Sequence, residues 1–217
     1  MRPGWLTRVV STDSFDERAA TWDDDPAKVE RADAVARVIS GAIPLDRSMR
    51  MLEYGAGTGL VTQALRESVG PVTLADISKG MRDVIQDKID AGSITNARVW
   101  DLDLATQSAP DERFDLVVTV MAMHHIANVH IVLSGFAELL EQGGHLCVVD
   151  LDEEDGSFHG TAFEGHQGFQ RSMLSSHLAG AGFTEITYRD CHDIVRGGVT
   201  YPLFLATCVR GGSPRGS

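Results

Sequence analysis

Short apolar runs alternate with segments of helical periodicity from Arg50 onwards, and this alternation constrains the fold of the chain more than any other feature. In the helical segments the apolar residues recur every three or four positions, whereas the runs between them are nearly continuous. Continuous apolar runs are typical of strands buried on both faces by helices. We therefore predict an α/β protein with a doubly wound, mostly parallel sheet.

The pattern predicts seven strands, near 51–52, 72–75, 98–100, 114–120, 145–149, 183–188 and 203–209. Helices are predicted over 15–22, 26–39, 60–69, 78–89, 131–140 and 169–181. Asp25-Pro26 provides a cap and first turn for the second helix, and Gly143-Gly144 is expected to end the fifth. The last two strands have no helix between them, so we expect an antiparallel hairpin at the C-terminal end.

The charge balance excludes some classes of partner. Asp and Glu number 31 and Lys and Arg 19, so the formal net charge is −12. Nucleic-acid-binding proteins concentrate positive charge on one face, and we therefore expect no nucleic-acid partner. The apolar runs are too short to span a bilayer, and residues 1–10 do not resemble a signal peptide. Three cysteines without metal-type spacing indicate reduced thiols, so we expect a cytoplasmic chain with no membrane partner.

Three glycines, Gly55, Gly57 and Gly59, lie between a predicted strand and a predicted helix. Glycines at this point allow a tight turn and let the backbone approach a ligand closely. Alone they are weak evidence, because an ordinary turn between a strand and a helix can also require glycines with positive φ. Asp76, at the end of the next predicted strand, adds an acceptor for ribose hydroxyls. Together the two features favour a nucleoside-containing ligand.

The spacing of the loop narrows the choice of ligand. In the dinucleotide fingerprint the third glycine comes three positions after the second, whereas here Gly59 comes two after Gly57. A P-loop lysine is absent as well. Glu53, just before the loop, would repel a pyrophosphate but tolerate a cationic amino-acid group. S-adenosyl-L-methionine has that group, a sulfonium and no phosphate.

The segment Glu53–Gly59 resembles motif I of the class I S-adenosylmethionine-dependent methyltransferases. The resemblance extends over residues 15–210 and implies a seven-stranded, Rossmann-like fold with S-adenosyl-L-methionine as the cofactor. Its further segments are 15–23 (the opening helix of small bacterial members), 114–117 with 124–126 (strand four and its loop), 139–144 and 181–183 (the turns into strands five and six).

The resemblance implies a set of cofactor-binding residues: Glu53, Gly55, Ala56, Gly57, Asp76, Ile77, Asp101 and Leu102. Gly55 and Gly57 would line the methionine end of the cofactor. Asp76 would bind the ribose, and Ile77 would pack on the adenine. Asp101 and the Leu102 backbone would contact the adenine edge, but Asp103 competes with Asp101 for that role.

Methyl transfer is an in-line displacement in which the sulfonium is already the leaving group, so the cofactor motif dictates no catalytic residue. Alignment is the main requirement, and a general base is needed only for acceptors that must lose a proton. The candidates are His125, beside His124 after strand four, and Asp152 and His159, after strand five with His166 beyond them. This acid and histidine group could be a base cluster, a metal site or a solvated loop. We assign no metal ligand from the sequence.

We divide the chain into an N-terminal helical lid segment (1–46), the S-adenosylmethionine-binding core (47–210) and a flexible tail (211–217). Phe15, Trp22, Met121 and Met123 could form an apolar lid or simply pack between helices. The leading hypothesis is an enzyme that methylates a small molecule. A nicotinamide-dependent oxidoreductase and a cofactor-binding regulatory module without transfer activity are the alternatives. The sequence leaves the acceptor and the oligomeric state open.

Overall fold

The computed structural model describes residues 13–160 and 163–212. The expectation about a signal peptide at 1–10 and most of the predicted tail therefore lie outside the described residues. Within them, the helices are α1 (Asp13–Arg18), α2 (Pro26–Ala42), α3 (Leu60–Leu65), α4 (Lys79–Asp90), α5 (Val129–Leu139) and α6 (Arg171–Gly180), with 3₁₀ turns at Ala19–Asp24 and Met123–His125.

The described strands form one seven-stranded sheet of order β3-β2-β1-β4-β5-β7-β6. They are β1 (Met51–Tyr54), β2 (Val72–Ala75), β3 (Ala97–Trp100), β4 (Phe114–Val120), β5 (Leu140–Leu151), β6 (Phe183–Arg196) and β7 (Val199–Arg210). The first five strands are parallel, whereas β7 is antiparallel to both β5 and β6. The predicted doubly wound sheet and the C-terminal hairpin are thus confirmed.

Helices cover both faces of the sheet, as the continuous apolar runs require. In β4, Leu116 and Val118 pack with α2, α3 and α4, whereas the alternate residue Val117 packs with α5 and α6. Strand order reverses between β1 and β4, because β2 and β3 lie on one side of β1 and β4 on the other. Ligands of open parallel sheets bind beyond the carboxyl ends of the strands at such a reversal. No helix of the described residues is long and apolar enough to cross a membrane.

The expected end of α5 at Gly143-Gly144 is wrong. The helix already ends at Leu139, and both glycines lie inside β5. Gly143 has φ +78°, and a Cβ on Gly144 would lie 2.9 Å from the carbonyl oxygen of Glu141. The register of β5 against β4 shifts nearby, between Phe114 and Leu116. The glycines therefore allow an irregularity in the strand instead of ending the helix.

The N-terminal segment contacts the core through buried and charged groups. Asp16 of α1 accepts hydrogen bonds from the Gly80 amide and the Ser78 hydroxyl at the start of α4, at 2.8 Å and 2.5 Å. These bonds lower the pKa of the Asp16 carboxyl below its usual value. A Cβ on Gly80 would lie only 2.8 Å from the Asp16 Cα, so the contact depends on glycine.

We predict that Gly80→Ala displaces α1 from α4, because the added methyl group would overlap the Asp16 backbone. Hydrogen exchange should become faster across residues 14–24. Gly41→Ala is the control, since a Cβ at Gly41 of α2 meets nothing within 4 Å. That variant should be unchanged or stabilised by about 0.5–1 kcal/mol. Equal exchange rates in the two variants would contradict this account of the contact.

Candidate active site

The glycine loop joins β1 to α3 beside the carboxyl end of β2. Gly55, Gly57 and Gly59 have φ values of +70°, +56° and +80°, which disfavour other residues. A Cβ on Gly55 would lie 2.5 Å from the Ala122 Cβ, and one on Gly59 would lie 2.8 Å from Leu74. A Cβ on Gly57 would meet nothing within 4 Å. Glycine at positions 55 and 59 thus allows close packing against Ala122 and Leu74, whereas the space in front of Gly57 is open to a ligand.

Asp76 follows β2 and faces this loop. One carboxylate oxygen accepts the Gly57 amide at 2.8 Å, and the other accepts the Ser78 amide at 2.8 Å. Burial raises the pKa of Asp76, and the two backbone hydrogen bonds oppose that shift. Each oxygen has a second lone pair, so the carboxylate can still accept a ribose hydroxyl at each oxygen. The residues around Gly57 therefore fit a nucleoside.

Glu53 lies beneath the loop. Its side chain is buried, and one carboxylate oxygen accepts hydrogen bonds from the Thr62 amide, at 3.1 Å, and the Thr62 hydroxyl. It thus satisfies an amide in the first turn of α3, which begins after Gly59. Burial raises the pKa of Glu53 to about 7. A contact between Glu53 and the cofactor remains a prediction.

The acids after β3 have different partners. Asp101 is paired with Arg82 at 3.0 Å, and Arg82 also donates to the Asp76 carbonyl oxygen at 2.8 Å. Asp103 accepts the Ala105 amide and the Thr106 hydroxyl, so its carboxylate stabilises its own turn. The Leu102 side chain is buried, whereas the Ile77 side chain is 46% exposed. Ile77 is therefore accessible to a flat ligand group.

A cluster of three imidazoles lies beyond β4 and β5. This histidine cluster consists of His124, His125 and His159, whose candidate ligand atoms all lie within 4.8 Å of one another. The ring centroids of His124 and His125 are 4.1 Å apart, and that of His159 is 5.1 Å and 5.3 Å from them. Phe15 and Phe163 border the cluster; Phe163 stacks on His159 at 4.0 Å.

Asp150, at the carboxyl end of β5, orients His124. Its carboxylate lies 2.6 Å from His124 Nδ1 and accepts the His124 amide at 3.2 Å. Both side chains are buried. Among the described residues, His124 Nε2 and His125 Nδ1 are buried without a hydrogen-bond partner. The sequence alone did not indicate this pair, because it does not give the conformation of the loop that brings His124 to Asp150.

Burial lowers the pKa of His125 to about 3 and that of His159 to about 4, and the neighbouring His124 adds to both shifts. The imidazoles of His125 and His159 are therefore neutral at physiological pH. Neutral imidazoles can accept a hydrogen bond or bind a cation through a ring nitrogen.

The remaining predicted acceptor-side residues have structural partners. Asp152 forms a two-point ion pair with Arg171, at 2.7 Å and 2.6 Å. His166 holds its loop against the 3₁₀ turn, because its amide donates to the His124 carbonyl and its Nε2 lies 3.0 Å from the Ile126 carbonyl oxygen. The structure thus brings His125 and His159 together, whereas Asp152 pairs with α6.

The four predicted lid residues separate into two groups. Phe15 lies edge-on to His125 at 5.4 Å, and Trp22 packs against Phe15 with the ring centroids 6.0 Å apart. Met123 is fully buried in the core, and Met121 is partly buried at φ +54°. Of these four residues, Phe15 is the one whose ring contacts the histidine cluster. A separate cavity of about 270 Å³ lies at the amino ends of β2 and β3 and contains none of the candidate residues.

We predict that Glu53 makes stability depend on pH. A carboxyl group whose pKa is raised by folding stabilises fully below its unfolded pKa, near 4.5, and loses that contribution as pH rises through about 7. Asp76 raises the pKa of Glu53 and Lys88 opposes the shift. Between pH 5 and pH 8 the free energy of unfolding should fall by on the order of 2–3 kcal/mol more in the wild type than in Glu53→Gln. Parallel urea-unfolding profiles would contradict the buried, titrating carboxyl group.

Comparison with known proteins agrees with this geometry. The family model for a methyltransferase domain matches residues 27–188. An uncharacterized methyltransferase of Schizosaccharomyces pombe is 33% identical over 119 residues, which are 52% of this chain and 42% of that protein. A ubiquinone/menaquinone biosynthesis C-methyltransferase of Stutzerimonas stutzeri is 28% identical over 121 residues, 54% and 47% of the two chains. The chain thus spans less than half the length of these two relatives.

The fold has solved counterparts. The N-methyltransferase NodS from Bradyrhizobium japonicum, solved with S-adenosyl-l-homocysteine, superposes with a TM-score of 0.71 at 17% identity and covers 94% of this chain and 99% of its own. The family match extends over most of the chain and includes the glycine loop, Asp76 and the histidines 124 and 125. The chain therefore belongs to the methyltransferase-domain family, and its fold is that of the class I S-adenosylmethionine-dependent methyltransferases.

Proposed function

We propose that the chain transfers the methyl group of S-adenosylmethionine to a small-molecule acceptor by in-line displacement. The observation that carries the proposal is the contact between Gly55 and Ala122, which joins the glycine loop to the loop that carries His124 and His125. A cofactor loop and a set of polar side chains thereby lie at the same edge of the sheet. The glycine loop would bind the cofactor, and the polar side chains would contact the acceptor.

The cofactor side is supported by Gly57 and Asp76. The open space at Gly57 admits a ligand, and the Asp76 carboxylate is already fixed by two amides, so little ordering is required when it binds a ribose. Asp101, which is paired with Arg82, and Asp103, which accepts hydrogen bonds within its own turn, are both candidates for the adenine edge. S-adenosylmethionine brings both the methyl group and its leaving group.

The acceptor side is supported by the histidine cluster. Asp150 fixes the ring of His124 so that Nε2 faces away from the carboxylate, and His125 and His159 add two further imidazole rings. Phe15 and Phe163 border these rings and would exclude water from an acceptor. Of the similar proteins described above, one is named a C-methyltransferase and another an N-methyltransferase, so the names differ in the atom that is methylated. We infer that the cluster, and not the fold, selects the acceptor atom.

A small acceptor agrees with the charge of the chain. The net charge of −12 would repel a phosphate backbone. Incubation of the purified chain with radiolabelled S-adenosylmethionine and a metabolite extract should therefore yield a labelled small molecule. The same incubation with nucleic acid should leave the nucleic acid unlabelled. Binding of the cofactor with no labelled product in any extract would favour the regulatory-module alternative.

We predict that calorimetry detects binding of S-adenosylmethionine and S-adenosylhomocysteine but not of NAD. The glycine spacing and the Glu53 carboxylate beneath the loop both disfavour a pyrophosphate. Comparable affinity for NAD, with no binding of S-adenosylmethionine, would instead support an oxidoreductase.

We predict that Asp76→Ala and His125→Ala fail in different ways. Loss of charged hydrogen bonds worth about 1.5–3 kcal/mol each should weaken cofactor binding by roughly ten- to several-hundred-fold in Asp76→Ala. In His125→Ala, the cofactor affinity should stay within a few-fold of the wild-type value. Turnover should fall by roughly 100-fold or more if the ring assists proton removal.

Circular dichroism should confirm folding of both variants, and Asp76→Asn retains the size of the side chain if the alanine variant is unstable. Wild-type cofactor affinity in Asp76→Asn and Asp76→Ala would show that the ribose is bound elsewhere. Full activity of His125→Ala would exclude that ring, with His159 and Asp152 as the remaining predicted catalytic residues.

A further inference from the structure

Three histidines from two separate loops meet at one point. His124 and His125 come from the 3₁₀ turn after β4, whereas His159 comes from the loop after β5, 34 positions further along the chain than His125. Their candidate ligand atoms lie within 4.8 Å of one another. One imidazole is enough for a general base, so a convergence of three requires another explanation.

The buried nitrogen of His124 points to a ligand. His124 is 1% exposed, and a neutral ring that donates Nδ1–H to Asp150 would have its free lone pair on Nε2, which has no hydrogen-bond partner among the described residues. A buried acceptor without a partner costs free energy, and proteins seldom retain one without use. His125 Nδ1 is a second such atom among the described residues.

Asp150 completes a recognised arrangement of carboxylate, imidazole and metal. Histidines that bind metals almost always donate their other ring N–H to a carboxylate or carbonyl, which fixes the tautomer and the ring orientation. The 2.6 Å contact between Asp150 and His124 Nδ1 has this geometry. Asp150 also accepts the His124 and Leu151 amides, so the carboxylate is itself held in place.

We propose that His124, His125 and His159 are ligands of one divalent transition-metal ion, with zinc as the best-suited ion and one coordination position open. Imidazole nitrogens suit zinc, and three protein ligands with an open position are typical of catalytic zinc sites. Zinc–nitrogen bonds of about 2.0 Å place tetrahedral ligand atoms about 3.3 Å apart. The ligand atoms, up to 4.8 Å apart, must therefore approach one another by as much as about 1.5 Å on binding, and His159 is exposed and so the freest of the three to move.

The open position gives the cluster a role in methyl transfer, and this step alone depends on the proposed function. A hydroxyl or thiol bound to the ion would lose its proton to solvent more readily, because the ion would stabilise the anion. The anion would then bond to the methyl carbon as the bond from that carbon to the sulfonium breaks and S-adenosylhomocysteine leaves. The acceptor class that fits is thus an oxygen or sulfur nucleophile that coordinates the ion. Phe15 and Phe163 would keep water from this position.

Metal binding can be measured without cofactor or acceptor. The full chain without a histidine tag is treated with a chelator, dialysed, and titrated separately with Zn²⁺ and Co²⁺. We expect one equivalent of Zn²⁺ per chain, a visible absorption band of four-coordinate Co²⁺, and a rise in the unfolding temperature with metal concentration.

The variants distinguish the cluster from other histidines. His159→Gln removes an exposed ligand without opening a cavity and should weaken Zn²⁺ binding by more than about 100-fold, beyond the loss typical of an outer-shell residue. Asp150→Asn, which alters only the positioning residue, should weaken it by about 10- to 100-fold. His166→Gln is the matched control: it lies in the same loop, its Nε2 faces the Ile126 carbonyl, and affinity should not change.

Absence of a Co²⁺ band in the wild type, or equal Zn²⁺ affinity in wild type and His159→Gln, would overturn the metal site. Methyl transfer by a chain that binds neither metal would refute this inference and leave the proposed function intact. Binding at the cluster without any methylated product would support the metal site and refute the proposed function.

Discussion

The close approach of Gly55 to Ala122 is the constraint on which the site depends. No side chain fits between them, since a Cβ on Gly55 would lie 2.5 Å from that of Ala122. The loop after β1 and the loop after β4 therefore meet where strand order reverses. Met121 turns the chain there at φ +54°, a conformation that costs about 1–3 kcal/mol and is typical of functional loops. The glycine loop and the loop that carries His124 are neighbours because of this contact.

Three ionisable side chains lie along the edge of the sheet formed by the carboxyl ends of the parallel strands. Glu53, Asp76 and Asp150 lie at or just beyond the carboxyl ends of β1, β2 and β5, and each accepts backbone amides. Burial raises the pKa of Glu53 and Asp76, so the fold holds both against a desolvation penalty. Such groups cluster at functional sites because they fix a loop before a ligand arrives.

Much of the fold could be predicted, because helix starts and strands depend on residues that are close in sequence. Side-chain pairs between residues far apart in sequence could not be predicted. The Asp25-Pro26 start of α2 depends on adjacent residues and is confirmed, with Asp25 accepting the Ala27 amide. The pairing of His124 with Asp150, and of Asp152 with Arg171, joins residues 26 and 19 positions apart through loops. Periodicity does not determine loop conformation. The expected helix end at Gly143-Gly144 failed because glycine permits strand irregularities as well as helix termini.

A crystal structure with bound S-adenosylhomocysteine tests the central claim most directly, namely that one edge of the sheet holds the cofactor on one side and the acceptor groups on the other. The account predicts the ribose hydroxyls on the Asp76 carboxylate, the homocysteine end over Gly57, and the sulfur on the side of the histidine cluster. A ligand bound away from Asp76, or one whose sulfur faces away from His124 and His125, would contradict it.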